Sequence, residues 1–147
     1  MATLNRKAAE VVTEIGAHAL TDVTGFGLLG HLRNMTAASR VSAQVWLEQV
    51  PVLPAAWNYV RAGIAPGGTH ANLRFLADWV SYDASIGKEE QLILADAQTS
   101  GGLLVAVSAE NAGPMLDSLG NGGVKAAAVI GRIEAGEPGR IQVDRSR

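Results

Sequence analysis

The sequence predicts a domain that mixes helices with strands, α/β or α+β, and three observations carry the prediction. Helical and strand hydrophobic periods alternate along the chain, and no segment repeats another. A length of 147 residues, 48% hydrophobic content and a net charge of −2 suit one soluble, well-cored domain over 1–147.

Leu4, Ala8, Val11, Val12 and Ile15 fall at helical spacing and Gly16 supplies a stop, which predicts an amphipathic helix over 4–15. Residues 17–23 are short and partly β-branched, a strand leading into a glycine turn. A second helix is expected over 27–39, with Leu28, Leu29, Leu32 and Met35 toward a core. Val41, Ala43, Val45 and Leu47 alternate with Ser42, Gln44 and Trp46, the period of a half-buried strand. A third helix over 54–62 tolerates Pro54 in its first turn. Pro66-Gly67-Gly68 reads as a break, and 73–80 carries mixed signals. A short helix over 85–94 leads through a polar turn to a strand over 103–107. A helix over 110–119, an apolar strand over 126–133, a turn at 136–139 and a strand over 141–143 complete the series.

Acidic residues slightly outnumber basic ones, and the basic ones are scattered, so neither a basic patch nor a phosphate-tracking groove for nucleic acid is written in the sequence. The chain has no cysteine, which excludes disulfides, thiolate metal sites and cysteine nucleophiles within it. Glu10 and Glu14 interrupt the early apolar stretch and no apolar run is long enough to span a membrane, so a cytoplasmic location is expected.

The most informative stretch is Thr21-Asp22-Val23-Thr24-Gly25-Phe26-Gly27-Leu28-Leu29-Gly30-His31-Leu32. Its glycines and hydroxyls precede a helical pattern, where unpaired first-turn amides and the helix dipole favour an anion. Asp22 would repel a phosphate there unless a cation lies between them, so Mg²⁺ bridging Asp22 to a phosphate oxygen reconciles the two. Other readings stand beside this one. Asp22 could cap the helix or accept amides of the glycine turn, and Thr24 could contact phosphate or only stabilise the turn. Gly25, Gly27 and Gly30 also spell a dinucleotide fingerprint, with Glu48 as a ribose ligand, or could simply permit tight packing.

Gly67, Gly68, Thr69 and Asn72 could line a phosphate channel, or form an ordinary turn with Thr69 as helix cap. Thr99 and Ser100, within Gln98-Thr99-Ser100-Gly101-Gly102, leave the same choice open, while nearby Asp96 alone reads as exposed or capping. His18, His31 and His70 have no metal-ligand spacing; His31 could donate to an anion or be a solvated helix residue. Trp46, Trp57 and Trp79 are too dispersed for a stacking platform.

Three segments, Thr21 through Leu32, Pro66-Gly67-Gly68-Thr69-His70-Ala71-Asn72, and Leu94-Ala95-Asp96-Ala97-Gln98-Thr99-Ser100-Gly101-Gly102-Leu103-Leu104, stand in an order and spacing that resembles the C-terminal domain of selenophosphate synthetase (selenide, water dikinase). The resemblance runs from the helix holding Leu4-Asn5-Arg6-Lys7-Ala8-Ala9-Glu10 to Arg147; Ala97 departs from it by replacing a proline. It implies an α+β layered sandwich, a mixed sheet flanked by helices and partly ferredoxin-like, as in aminoimidazole ribonucleotide synthetase-like proteins. It also implies an enzyme that converts ATP, selenide and water to selenophosphate, AMP and phosphate. In that scheme Asp22 helps hold Mg²⁺, and Thr24, Gly25, Gly27, Gly67, Gly68, Thr69, Asn72, Thr99 and Ser100 contact nucleotide phosphates. The family's N-terminal half, with its reactive cysteine or selenocysteine and its lysine, has no counterpart here. The chain is therefore expected to be a fragment or detached domain, inactive alone and without catalytic residues of its own, whose partners are that N-terminal half, ATP and selenide within a homodimer. A binding or regulatory module that kept the fold and lost catalysis is the alternative of another class.

Overall fold

A computed structural model describes residues 4–147; the first three residues of the domain expected over 1–147 lie outside the described residues. Helix α1 (Arg6–Ile15) buries Val11 and Val12, and Gly16, at φ +91°, ends it. Strand β1 (Ala19–Asp22) runs into a turn, and helix α2 (Gly27–Ala38) follows with Leu29, Leu32 and Thr36 buried. Thr36 satisfies its hydroxyl on the Leu32 carbonyl at 2.9 Å. Strand β2 (Ser42–Trp46) leads through a 3₁₀ turn to helix α3 (Pro54–Arg61), which begins on Pro54 as expected.

Helix α4 (Gly67–Leu76) occupies part of the stretch whose signals were mixed, and its first residues are the glycines that read as a break. Pro66 precedes it in an extended conformation, so that triplet opens a helix and does not merely interrupt the chain. Strand β3 (Val80–Tyr82), helix α5 (Lys88–Leu94), strand β4 (Leu103–Ala106) and helix α6 (Ala109–Asn121) come next. Strand β5 (Gly131–Glu134) is later and shorter than the apolar run suggested, and strand β6 (Ile141–Asp144) lies where expected.

These strands form two sheets. One has the order β3-β6-β2-β5, with β3/β6 and β2/β6 parallel and β2/β5 antiparallel; the other is the antiparallel ribbon β1/β4. The expected mixed sheet flanked by helices is thus present. Val80, Ala43, Val45, Ile141 and Val143 are in register on one face and buried, while Gln44, Gln142 and Asp144 stand on the other. This alternation seats the apolar face on a core completed by Leu29 and Leu32 of α2, Leu76 of α4 and Leu94 of α5. A second cluster joins Val11 and Val12 of α1 to Met115 and Leu119 of α6, with Val105 packed against it. Leu104 of the same strand belongs to the first core, so the β1/β4 ribbon separates the two.

Candidate functional site

The three glycine-rich segments meet. Ribbon pairing continues past Asp22, where the Val23 amide donates to Gly102 at 2.9 Å and the Gly101 amide returns a 2.9 Å bond to Val23. The Thr24 carbonyl then accepts from Gly27 at 3.0 Å and from Gln98 at 3.1 Å, which fixes the turn between β1 and α2 against the loop after α5. Asn72 reaches from α4 and donates to Gly25 at 2.9 Å and to Ala95 at 3.0 Å, so one side-chain amide ties all three segments together. Thr69, 1% exposed, donates to Asp96 at 2.7 Å while its oxygen accepts the Ala97 amide at 3.1 Å. At the far side Asn5 donates to Gly101 at 3.0 Å.

Two glycines are required by this convergence. Gly27 has φ +69°, and a Cβ there would lie 2.7 Å from the Ala95 backbone; a Cβ on Gly101 would lie 2.4 Å from the Val23 carbonyl. The starting turn of α2 is therefore pressed directly onto the loop that carries Asp96.

The residues singled out from sequence divide into two groups. Asp22, Gly25, Gly67, Gly68, Thr99 and Ser100 are exposed, with Thr24 half-buried among them. Gly27, Thr69 and Asn72 are the internal braces just described. Thr69 does not cap α4: the helix begins at Gly67, so Thr69 lies inside it and serves Asp96 and Ala97. Asp96 is half-buried and holds that hydroxyl, in place of the exposed or capping role its local sequence suggested.

Asp22 does not cap α2 either. It ends β1, and the residue preceding the helix is Phe26, which makes no side-chain cap bond. The Asp22 carboxylate takes part in none of the ion pairs or side-chain hydrogen bonds among the described residues, and no group of three metal-ligating side chains occurs among them. An exposed, uncommitted carboxylate suits a cation as one ligand, with the other ligands coming from phosphate oxygens, water or acids beyond this cluster.

The dinucleotide reading fails on topology. It needs β1 and the strand after α2 to be parallel neighbours, yet β1 pairs with β4 while β2 lies in the other sheet. His31 is also not placed as an anion donor through Nε2, because that nitrogen accepts the Thr24 amide at 3.1 Å. Nothing in local sequence signals this contact, which spans seven residues and depends on how the turn bends back. Beside the cluster, Phe26, Gly30, Asn34, Asn72, Phe75 and Leu76 line a shallow cleft of about 110 Å³.

The family described as AIR synthase related protein, C-terminal domain, matches residues 1–144. The selenide, water dikinase of Carboxydothermus hydrogenoformans is 43% identical over 145 residues, which is 99% of this chain and 41% of that protein. Its counterpart in Myxococcus xanthus is 43% identical over 141 residues, 95% of this chain and 40% of that protein. The expected kinship with selenide, water dikinases therefore holds, and the chain spans about two fifths of the length of these curated relatives. Among solved structures, hydrogenase maturation protein HypE matches with a TM-score of 0.65 at 23% identity, over 95% of this chain and 38% of that one. The same protein in complex with ATP matches at 0.67 and 22%, over 97% and 37%. Those two likenesses concern the fold. On its sequence match and its architecture, the chain belongs to the AIR synthase related protein, C-terminal domain family.

Proposed function

We propose that this chain serves as the C-terminal domain of a selenide, water dikinase, presenting magnesium-bound nucleotide phosphates to an N-terminal catalytic half. The observation that carries the reading is the exposed Asp22 carboxylate beside a braced turn whose outward rim is glycine and hydroxyl. Its amides and hydroxyls suit phosphate oxygens, and the buried Thr69 to Asp96 bond supports the rim without occupying it. Mg²⁺, when bound, would neutralise the repulsion between that carboxylate and the phosphates. In this reading Thr24, Gly25, Gly67, Gly68, Thr99 and Ser100 contact the nucleotide, Gly27, Thr69 and Asn72 shape the contact, and Asp22 is one metal ligand. The complete enzyme would be a cytoplasmic homodimer that phosphorylates selenide at the expense of ATP, with the reactive cysteine or selenocysteine in the other half.

Asp22→Asn in the complete enzyme tests it. Loss of one metal-ligating charge should lower turnover about 100-fold or more, whereas the melting temperature should hardly move, since the side chain is exposed and makes no internal bond. Full activity of the variant at limiting Mg²⁺ would reject the metal role. Turnover of ATP with selenide by the 147-residue chain alone would reject the need for a second half.

A further inference from the structure

We infer that His31 is a positioning residue for the phosphate-facing turn, holding Thr24 from inside α2 so that the Gly25 edge faces outward. The functional half of this inference rests on the nucleotide reading above; the structural half does not. Nε2 of His31 lies 3.1 Å from the Thr24 amide and 3.2 Å from the Thr24 hydroxyl. A ring nitrogen that accepts an N–H must offer its lone pair, so the imidazole is neutral with its proton on Nδ1. The ring also packs against Phe26, with centroids 5.7 Å apart and planes tilted by 58°. His31 thus reaches back from one turn within α2 to hold the chain two residues ahead of Phe26, the cap position, which makes no side-chain bond of its own.

The arrangement has a chemical consequence at Thr24. Its amide is satisfied by His31 and its carbonyl by Gly27 and Gln98, so the peptide groups on either side of it cannot swing. The Nε2 lone pair is already engaged by the amide, which leaves the Thr24 hydroxyl proton able to turn toward a phosphate oxygen. Neither the Gly25 nor the Phe26 amide has an acceptor among the described residues, and both come directly after the fixed Thr24. His31 need not touch the phosphate to control how these donors are aimed.

Two substitutions separate this role from simple packing. His31→Gln places an amide oxygen about where Nε2 sits, while His31→Leu fills the space without an acceptor. In the complete enzyme, His31→Leu should raise KM for ATP about tenfold and His31→Gln should restore it to within about threefold, a rescue that helix packing alone does not give. In the 147-residue chain, nitrogen NMR should show Nε2 unprotonated and Nδ1 protonated, and Thr24 amide exchange should accelerate in His31→Leu but not in His31→Gln. A protonated Nε2, or Thr24 protection and KM for ATP both unchanged in His31→Leu, would overturn the inference. If Asp22→Asn keeps full activity, the phosphate reading and the ligand half of this role fall together, and the tautomer and exchange data then decide the hold of His31 on the turn by themselves.

Discussion

Thr69 shows how much one hydroxyl holds at the residue scale. It donates to Asp96 and accepts from Ala97 while almost wholly shielded from water. Thr69→Val keeps the shape but strands a carboxylate oxygen and a backbone amide, so unfolding in urea should show a loss of about 1–3 kcal/mol. Thr69→Ser retains the oxygen and should lose less. An unchanged urea midpoint in Thr69→Val would mean that water replaces both bonds. Thr69 stood out in the sequence because a hydroxyl in a glycine-rich turn is useful to a ligand. The same hydroxyl is equally useful to a loop 27 residues away, and local sequence carries no trace of which partner is present. Asn72 and His31 were ambiguous for the same reason: their partners are backbone groups, which every residue has. For Asp22 the structure shows an exposed carboxylate at the end of β1, uncommitted among the described residues, which is what the proposed cation role needs.

At the scale of elements, α5 is tied to the segment after β6 by a paired charge. Arg145 makes 3.0 and 3.1 Å bonds to the two carboxylate oxygens of Glu90, and Glu90 also accepts the Gly87 amide at 2.7 Å. The Arg145 bond, with help from that amide, holds the Glu90 carboxyl below its ordinary range. Because the folded value lies below the unfolded one, the stabilisation is complete above the unfolded carboxylate range and drains away as pH falls through the folded value. Acid titration of the melting temperature should therefore be shallower in Glu90→Gln than in the wild type on that limb; equal slopes would show that the pair is solvent-screened into irrelevance. Tyr82 is pushed the other way, up to about 12, by burial.

Helix and strand positions were largely legible where hydrophobic periods ran long, as in α1, α2 and β2. Helix α4 was obscured because its first turn is built from glycine, whose helix propensity is poor. Strand β3 is three residues long, too short for any alternation to register. Strand β5 begins only at Gly131, although apolar residues precede it, because pairing with β2 and not hydrophobicity sets where a strand starts.

Over the whole molecule, two cores of unequal size share one ribbon. The larger gathers residues from β2, β3, β6, α2, α4 and α5, whereas the smaller depends on Val11, Val12, Met115 and Leu119 from two helices. Fewer buried apolar groups mean a smaller cost of local opening, so native-state hydrogen exchange should release the amides of α1 and α6 before those of Val45 and Val143. Equal protection would show that the ribbon couples both layers into one cooperative unit. The mixed helix-and-strand class followed from alternating periods alone, but the strand order did not. Parallel pairing of β2 with β6 joins residues such as Val45 and Val143, and a pattern read within short windows contains nothing about such distant partners.

That pairing also sets a schedule. Strand β6 lies between β3 and β2, so the sheet has a vacant central lane until Ile141 through Asp144 have been made. During synthesis β3 has no neighbour, and β2 has only β5 to pair with on one edge. A nascent chain stalled before residue 141 would therefore expose the edges of both strands to whatever can pair with them. Translation past that point does more than lengthen the polypeptide, because it supplies the strand that closes the gap.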